Sequence, residues 1–124
     1  SIMLMLMLFA NYALAAMVTP YADTVFSSAR VSLSTQMDAS FTAQTKSKQA
    51  EIKVTSCILQ IKTGSVWADS MTLTAPSKVA TNTSRYSAAK DYSSSCSSGN
   101  TYRIKAVFDA DGHTKTAYSN SISY

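Results

Sequence analysis

From about residue 25 onward, apolar and polar residues alternate with a period of two, the pattern of half-buried β-strands. The first apolar sets are Val31 and Leu33, then Ala39, Phe41 and Ala43, then Ile52 and Val54. Residues 45–49, TKSKQ, separate the second set from the third, and we interpret them as a turn. The pattern therefore predicts three short strands between residues 31 and 55.

The apolar phase then slips by one position, because Cys57, Leu59 and Ile61 are out of step with Val54. A β-bulge or strand break near Ser56 would produce that slip. A turn at residues 63–65 leads to an arm that contains Trp67, and pairing Ile61 with Trp67 requires a loop of odd length. Residues 77–101, rich in Ser, Thr and Asn, are predicted to be a long connection.

The last 23 residues predict a β-hairpin around Asp111 and Gly112. If Tyr118 shares the apolar face of Ile104, an odd-length loop at residues 110–112 is needed, because residues directly opposite lie on one face. This register pairs Asp109 with His113 and Tyr118 with Ile104. It also places Gly112 at a positive φ.

Six or seven short strands with turns between them predict an all-β fold, an antiparallel β-sandwich of the immunoglobulin or fibronectin type III kind. A chain of 124 residues supports one such domain, which we assign to residues 23–124.

Residues 1–22 begin with the apolar run IMLMLMLFA, which is typical of a secretory signal peptide. Cleavage sites would follow Ala15 or Ala22, and we expect Ser1 to start a truncated fragment. Three other interpretations remain: a membrane anchor, although the run is short for one; a buried helix; and a retained pilin-type helix. The leading expectation is export, to the medium or the cell surface, with membrane contact only through this segment before cleavage.

Charged residues make up 15% of the chain, and the net charge of +4 falls on residues 23–124. The basic residues are scattered singly, whereas a nucleic-acid-binding surface concentrates them on one face. We therefore expect no nucleic-acid partner.

The two cysteines, Cys57 and Cys96, lack metal-ligand spacing, and His113 is the only histidine. In an exported chain we expect them to form a disulfide, with two buried free thiols as the alternative.

Catalytic constellations are absent from the sequence. His113 is expected at a hairpin tip without a supporting residue, and the serine run 93–95 lacks a nucleophile-elbow context. Asp109 and Asp111 resemble the start of a calcium loop, but the positions of the glycine and of the last ligand do not fit, and a turn explains both residues. We expect no enzyme activity, cofactor or metal.

Two residues have candidate structural roles. Trp67 could contribute to an aromatic sugar-binding platform, although a core position is favoured, and Tyr102 begins a predicted strand.

The segment GNTYRIKAVFD, followed by TAYSNSISY, resembles the last two strands of fibronectin type III and immunoglobulin-like sandwiches. That resemblance implies that Tyr102 is a "tyrosine corner", and it implies no catalytic residue. VTPYADTVFSS, LQIKTGSVW and TYRIKA are also similar to small secreted bacterial proteins of Firmicutes that contain a signal peptide and one such sandwich.

These observations favour an exported, non-enzymatic domain that binds a protein or glycan at the cell envelope or a host surface through a strand edge or loops. A subunit of a surface filament that retains its apolar segment is the first alternative. A secreted toxin or antimicrobial effector is the second.

Overall fold

The computed structural model describes residues 23–124, so the predicted signal segment at residues 1–22 lies outside the described residues. The described chain forms one antiparallel sheet of seven strands. The strands are β1 (Phe26–Leu33), β2 (Asp38–Thr63), β3 (Val66–Thr72), β4 (Val79–Asp91), β5 (Thr101–Ala110), β6 (His113–Tyr118) and β7 (Ile122–Ser123). A single 3₁₀ turn, Ser93–Ser95, follows β4. The expected all-β class is confirmed.

Strand β2 is 26 residues long and pairs with four other strands. Its first part lies between β1 and β4, and its last part lies between β3 and β5. The register with β4 is interrupted between Gln44 and Gln49, and Asn82 of β4 has a φ of 53°. Such irregularities let a strand bend from one part of a sheet into another.

The predicted turn at residues 45–49 is therefore wrong, since β2 continues through them. Thr45 is buried there, and its hydroxyl donates to the carbonyl oxygens of Ser47 at 2.8 Å and Ser84 at 3.4 Å. Since a hydroxyl has one proton, the bond to Ser47 is the main one, and it gives a backbone acceptor at the bend a partner inside the strand.

The inner faces of the two parts of the sheet share one apolar core. The ring of Tyr86 on β4 meets that of Phe108 on β5 edge-on at 6.2 Å, and Phe41 on β2 meets Tyr92 at 6.5 Å. These edge-to-face contacts are the favoured geometry of aromatic pairs.

Strand β4 corrects a second expectation, the long connection at residues 77–101. Its inward positions include Tyr86 and Ala88, and the residues around them are small and polar. A strand with so few large apolar residues gives almost no hydrophobic signal, and its pairing with β2 holds it in place.

The predicted phase slip is confirmed, because the register of β2 with β5 shifts between Val54 and Ser56. The pairing predicted for the next turn is wrong. Trp67 lies opposite Lys62, and Ile61 lies opposite Ala68, across a two-residue connection.

The closing hairpin forms, but with a different register. Ala110 pairs with His113 and Lys105 with Tyr118, so the turn consists of Asp111 and Gly112 alone. Both turn residues have positive φ, 49° and 90°, as a type I′ turn requires. The expected positive φ of Gly112 is therefore present, whereas the three-residue loop is wrong.

The physical reason is that Tyr118 faces outward and is 50% exposed, while Ala117 occupies the buried position on β6. Ala117 lies opposite Ala106, so two small side chains meet at this point of the core.

Candidate functional site

The outer face of β3, β2, β5 and β6 carries a stack of one guanidinium between two aromatic rings. The Arg103 guanidinium carbon lies 4.5 Å from the centre of the Trp67 ring and 4.6 Å from that of Tyr118. Both distances are within the range of cation–π attraction, which favours a fixed position for the guanidinium. We call Trp67, Arg103 and Tyr118 the cation–π ladder.

Hydrogen bonds orient the central arginine. Arg103 Nε donates to Gln60 Oε1 at 2.7 Å, and Gln60 Nε2 donates to Asp69 Oδ1 at 2.8 Å. The three residues occupy one row of the sheet, since Gln60 pairs with Asp69 on β3 and with Arg103 on β5. A guanidinium that is held by its Nε and by two rings is preorganised to bind an anion through its other nitrogens.

Further cations border the ladder. Lys62 lies opposite Trp67, and Lys105 lies opposite Tyr118. The face therefore combines partly exposed aromatic rings with positive charge.

Trp67 is not a core residue, contrary to the favoured expectation. Its side chain is half-buried on the outer face, where Arg103 covers it. The sequence did not reveal the aromatic partners of Arg103, because Tyr118 was assigned to the apolar face of Ile104. A basic residue at an outward position of one strand and an aromatic residue at an outward position of the next would have been the signal.

Tyr102 is buried, and its hydroxyl returns to the chain just upstream. The hydroxyl oxygen accepts the backbone N–H of Ser97 at 3.0 Å and the Nδ2 of Asn100 at 3.1 Å, and the hydroxyl lies 3.3 Å from the Ser97 carbonyl. This contact ties the loop before β5 to the start of that strand.

The expected disulfide is absent, since both cysteines are free thiols in the structure. Cys57 is buried in the core, and its thiol donates to the Tyr92 hydroxyl oxygen at 3.5 Å, while Cys96 is half-buried after the 3₁₀ turn. Burial raises the pKa of the Cys57 thiol, partly offset by the hydrogen bond to Tyr92, and burial likewise raises the pKa of Cys96. Because the thiolate is the reactive form, these are positions of low nucleophilicity.

The buried Tyr92 joins three parts of the chain. Its hydroxyl donates to the Thr74 carbonyl at 2.7 Å, and its backbone N–H donates to the Met37 carbonyl at 2.9 Å. Burial, followed by the contact with Cys57, raises the pKa of this hydroxyl. Its role is to satisfy backbone acceptors around the core.

His113 has a carboxylate beside it, contrary to the expectation that it lacks a supporting residue. Its Nε2 lies 3.2 Å from Asp23 Oδ1, and Lys115 Nζ lies 3.6 Å from Asp23 Oδ2. Asp23 also accepts the N–H groups of Val25 and Phe26 at 2.8 and 2.9 Å. The cluster thus fixes the start of the described chain against β6.

The two aspartates at the closing turn accept hydrogen bonds from backbone N–H groups. Asp109 accepts the N–H of Gly112 at 3.0 Å, and the two Asp111 oxygens accept the N–H groups of Ala50 and Glu51 at 2.8 and 2.9 Å. Residues 23–124 contain no cluster of three or more His, Cys, Asp or Glu side chains placed to hold a metal ion.

None of the helices in the described range is long and apolar enough to span a membrane. No protein-family model matches the chain, and no curated protein or solved structure is significantly similar to it.

Proposed function

We propose that the protein is an exported, non-enzymatic β-sandwich domain that binds a protein partner through the outer face bearing the cation–π ladder. The observation that carries the proposal is the half-exposed stack in which Arg103 lies between Trp67 and Tyr118. Trp, Tyr and Arg are the residues that most often dominate the energy of protein interfaces.

The composition of this face supports a protein rather than a small ligand. Trp67 and Tyr118 offer rigid apolar contacts, and aromatic residues are enriched at interface centres. The face is an outer surface of the sheet, whereas sites for small molecules are concave.

The charge of the face indicates an acidic partner. Lys62, Arg103 and Lys105 outnumber Asp69, which is already engaged by Gln60. Carboxylates on the partner would pair with the guanidinium nitrogens that the ladder leaves free, and the two lysines would favour encounter at low ionic strength.

We also propose that the sheet is a sandwich of the immunoglobulin or fibronectin type III kind. Two features support an immunoglobulin or fibronectin type III-like sandwich: the aromatic contacts between inner faces and the Tyr102 hydroxyl that returns to Ser97, five residues upstream. The first is a general feature of packed sheet faces, and the second is a hallmark of those folds.

The test is affinity capture from envelope and extracellular fractions with matched variants, followed by measurement of Kd with the purified partner. Tyr118→Ala and Arg103→Ala should each weaken binding at least about tenfold, since truncation of a central aromatic or arginine costs about 2 kcal/mol or more. Tyr124→Ala, an exposed tyrosine outside the ladder, and Arg85→Ala are the matched controls and should bind as the wild type does.

Three results would overturn the proposal. The first is equal capture by Tyr118→Ala and the wild type, and the second is binding of a glycan in place of any protein. The third is hydrolysis of peptides, glycans or esters by the purified domain. Circular dichroism of each variant separates loss of binding from loss of the fold.

Export has its own test, the intact mass of the native protein. A mature chain that starts near Ala16 or Asp23 supports export with cleavage. Retention of residues 1–22 would favour the filament alternative.

A further inference from the structure

A second polar surface lies on the outer face of β1, β2 and β4, in the other part of the sheet. A cleft of about 550 Å³ opens there, and its outward side chains are Ser28, Arg30, Thr42, Gln44, Arg85 and Ser87. The strand registers define two rows across this face, Arg30–Thr42–Ser87 and Ser28–Gln44–Arg85. We call it the arginine cleft.

The two arginines stand on either side of β2. Arg30 is on β1 and Arg85 is on β4, so their strands lie about 10 Å apart across the sheet, and the two residues stand in different rows. Thr42 and Gln44 lie between them on β2. The arrangement therefore presents two separated cations over a floor of neutral hydrogen-bonding groups.

The positive charge of the cleft is not compensated within the described part of the chain. None of the ion pairs in residues 23–124 includes Arg30, Arg85 or Lys78, and no carboxylate lines the cleft. Lys78, at the wall, donates from Nζ to the Ser87 carbonyl at 2.7 Å. This fixes a third cation at the margin.

We propose that the arginine cleft binds a sulfated glycan chain, with one sulfate group at each arginine and sugar hydroxyls on the side chains of Thr42 and Gln44. A guanidinium offers a planar pair of donors that suits the oxygens of a sulfate group. Cations on strands that lie two apart match a chain whose charges are separated by neutral sugar units.

Nucleic acid fits this surface less well. Proteins that bind single strands stack bases on exposed aromatic rings, and the only ring in the cleft, Tyr86, is 3% exposed with its hydroxyl bonded to the Lys78 carbonyl at 3.0 Å.

The experiment is calorimetric titration of the full chain with a size-defined sulfated oligosaccharide at physiological salt. Arg30→Gln and Arg85→Gln should each weaken binding by about tenfold, because a hydrogen bond to a charged group is worth about one decade of affinity or more. Arg30→Lys should recover part of the loss, since it keeps the charge but not the planar fork. Raising the salt concentration should weaken wild-type binding more than that of the double variant Arg30→Gln with Arg85→Gln.

The matched control removes the same charge elsewhere. Lys48→Gln changes an exposed lysine outside both the cleft and the cation–π ladder face and should bind as the wild type does. An equal loss in this control would mean attraction to net charge, and the proposal would be wrong. So would tighter binding of polyphosphate, of an unsulfated uronic-acid chain or of an oligonucleotide, or no binding at physiological salt.

This site is independent of the cation–π ladder. Arg30→Gln and Arg85→Gln should leave the affinity for the protein partner unchanged, and Tyr118→Ala should leave the affinity for the sulfated oligosaccharide unchanged. Each proposal can therefore fail without the other.

Discussion

Several side-chain carboxylates each accept more than one hydrogen bond or ion pair in this fold, and Asp23 is the clearest case. The hydrogen bond from the Phe26 N–H, the bond from the Val25 N–H and the charges of His113 and Lys115 hold the pKa of Asp23 below its usual value of 3.8, against an opposing effect of burial. The ionised form is therefore favoured in the folded state.

We predict that Asp23→Asn lowers the free energy of unfolding at pH 7 by about 1 kcal/mol, because the amide still accepts hydrogen bonds but carries no charge. A carboxyl whose folded pKa is depressed contributes stability above its unfolded pKa and loses it as the pH falls through the folded pKa. The free energy of unfolding of Asp23→Asn should thus be about 1 kcal/mol below that of the wild type above about pH 5, and the two should be equal in strong acid.

Urea unfolding at a series of pH values measures this difference. Asp38→Asn is the control, since the Asp38 carboxylate accepts none of the hydrogen bonds within residues 23–124. A deficit in Asp23→Asn that is the same at pH 2 and pH 7 would show that its charge has no role.

At the scale of elements, the closing hairpin is attached to the bend of β2 as well as to β5. Asp111 accepts two N–H groups of β2 through its side chain, and its own N–H donates to the Glu51 carbonyl at 3.2 Å. The turn is therefore a tertiary contact in addition to a connection.

Asp111→Ala should lower the free energy of unfolding by about 1–2 kcal/mol, because two backbone N–H groups lose a charged acceptor at a partly solvated site. Gly112→Ala should cost about 1 kcal/mol, since its φ of 90° disfavours a Cβ. Thermal and urea unfolding measure both changes.

Asp111→Asn is the matched variant for this turn, because asparagine keeps one acceptor and tolerates a positive φ. It should lose less stability than Asp111→Ala. Equal losses would mean that the hydrogen bonds to Ala50 and Glu51 contribute nothing.

The same hairpin shows what the sequence could and could not predict. Its position, its strands and the conformation of Gly112 followed from local alternation and turn chemistry. Its register did not, because the outward position of Tyr118 depends on Arg103, on a different strand. The ladder as a site was missed for the same reason, since cross-strand neighbours are set by register.

Strand β4 was missed for another reason, which is its composition. Alternation predicts strands only where inward positions are large and apolar, and β4 places Ala80 and Ala88 inward beside Tyr86. Likewise, the polar run at residues 45–49 suggested a turn because a bend that stays hydrogen-bonded has the same composition as a loop.

For the molecule as a whole, the packing of the two parts of the sheet depends on aromatic pairs such as Tyr86 with Phe108. We predict a coupling free energy of about 0.5–1.5 kcal/mol between Tyr86→Leu and Phe108→Leu in a double-mutant cycle. Chemical unfolding of the four proteins measures it.

Tyr86→Phe is the control for that cycle, because it removes the hydroxyl that donates to the Lys78 carbonyl and keeps the ring. Phe108→Leu should therefore lower the free energy of unfolding by the same amount in a protein that carries Tyr86→Phe as in the wild type. Additive effects in the leucine cycle would mean that the two rings do not stabilise each other.

The length of β2 determines how the domain responds to force and to proteases. Because this one strand pairs with β1, β3, β4 and β5, cutting it or peeling it away removes a neighbour from each of those strands. The two ends of the sheet are therefore joined through one continuous strand. We expect such a domain to unfold under force in one cooperative step, when β2 separates from its partners.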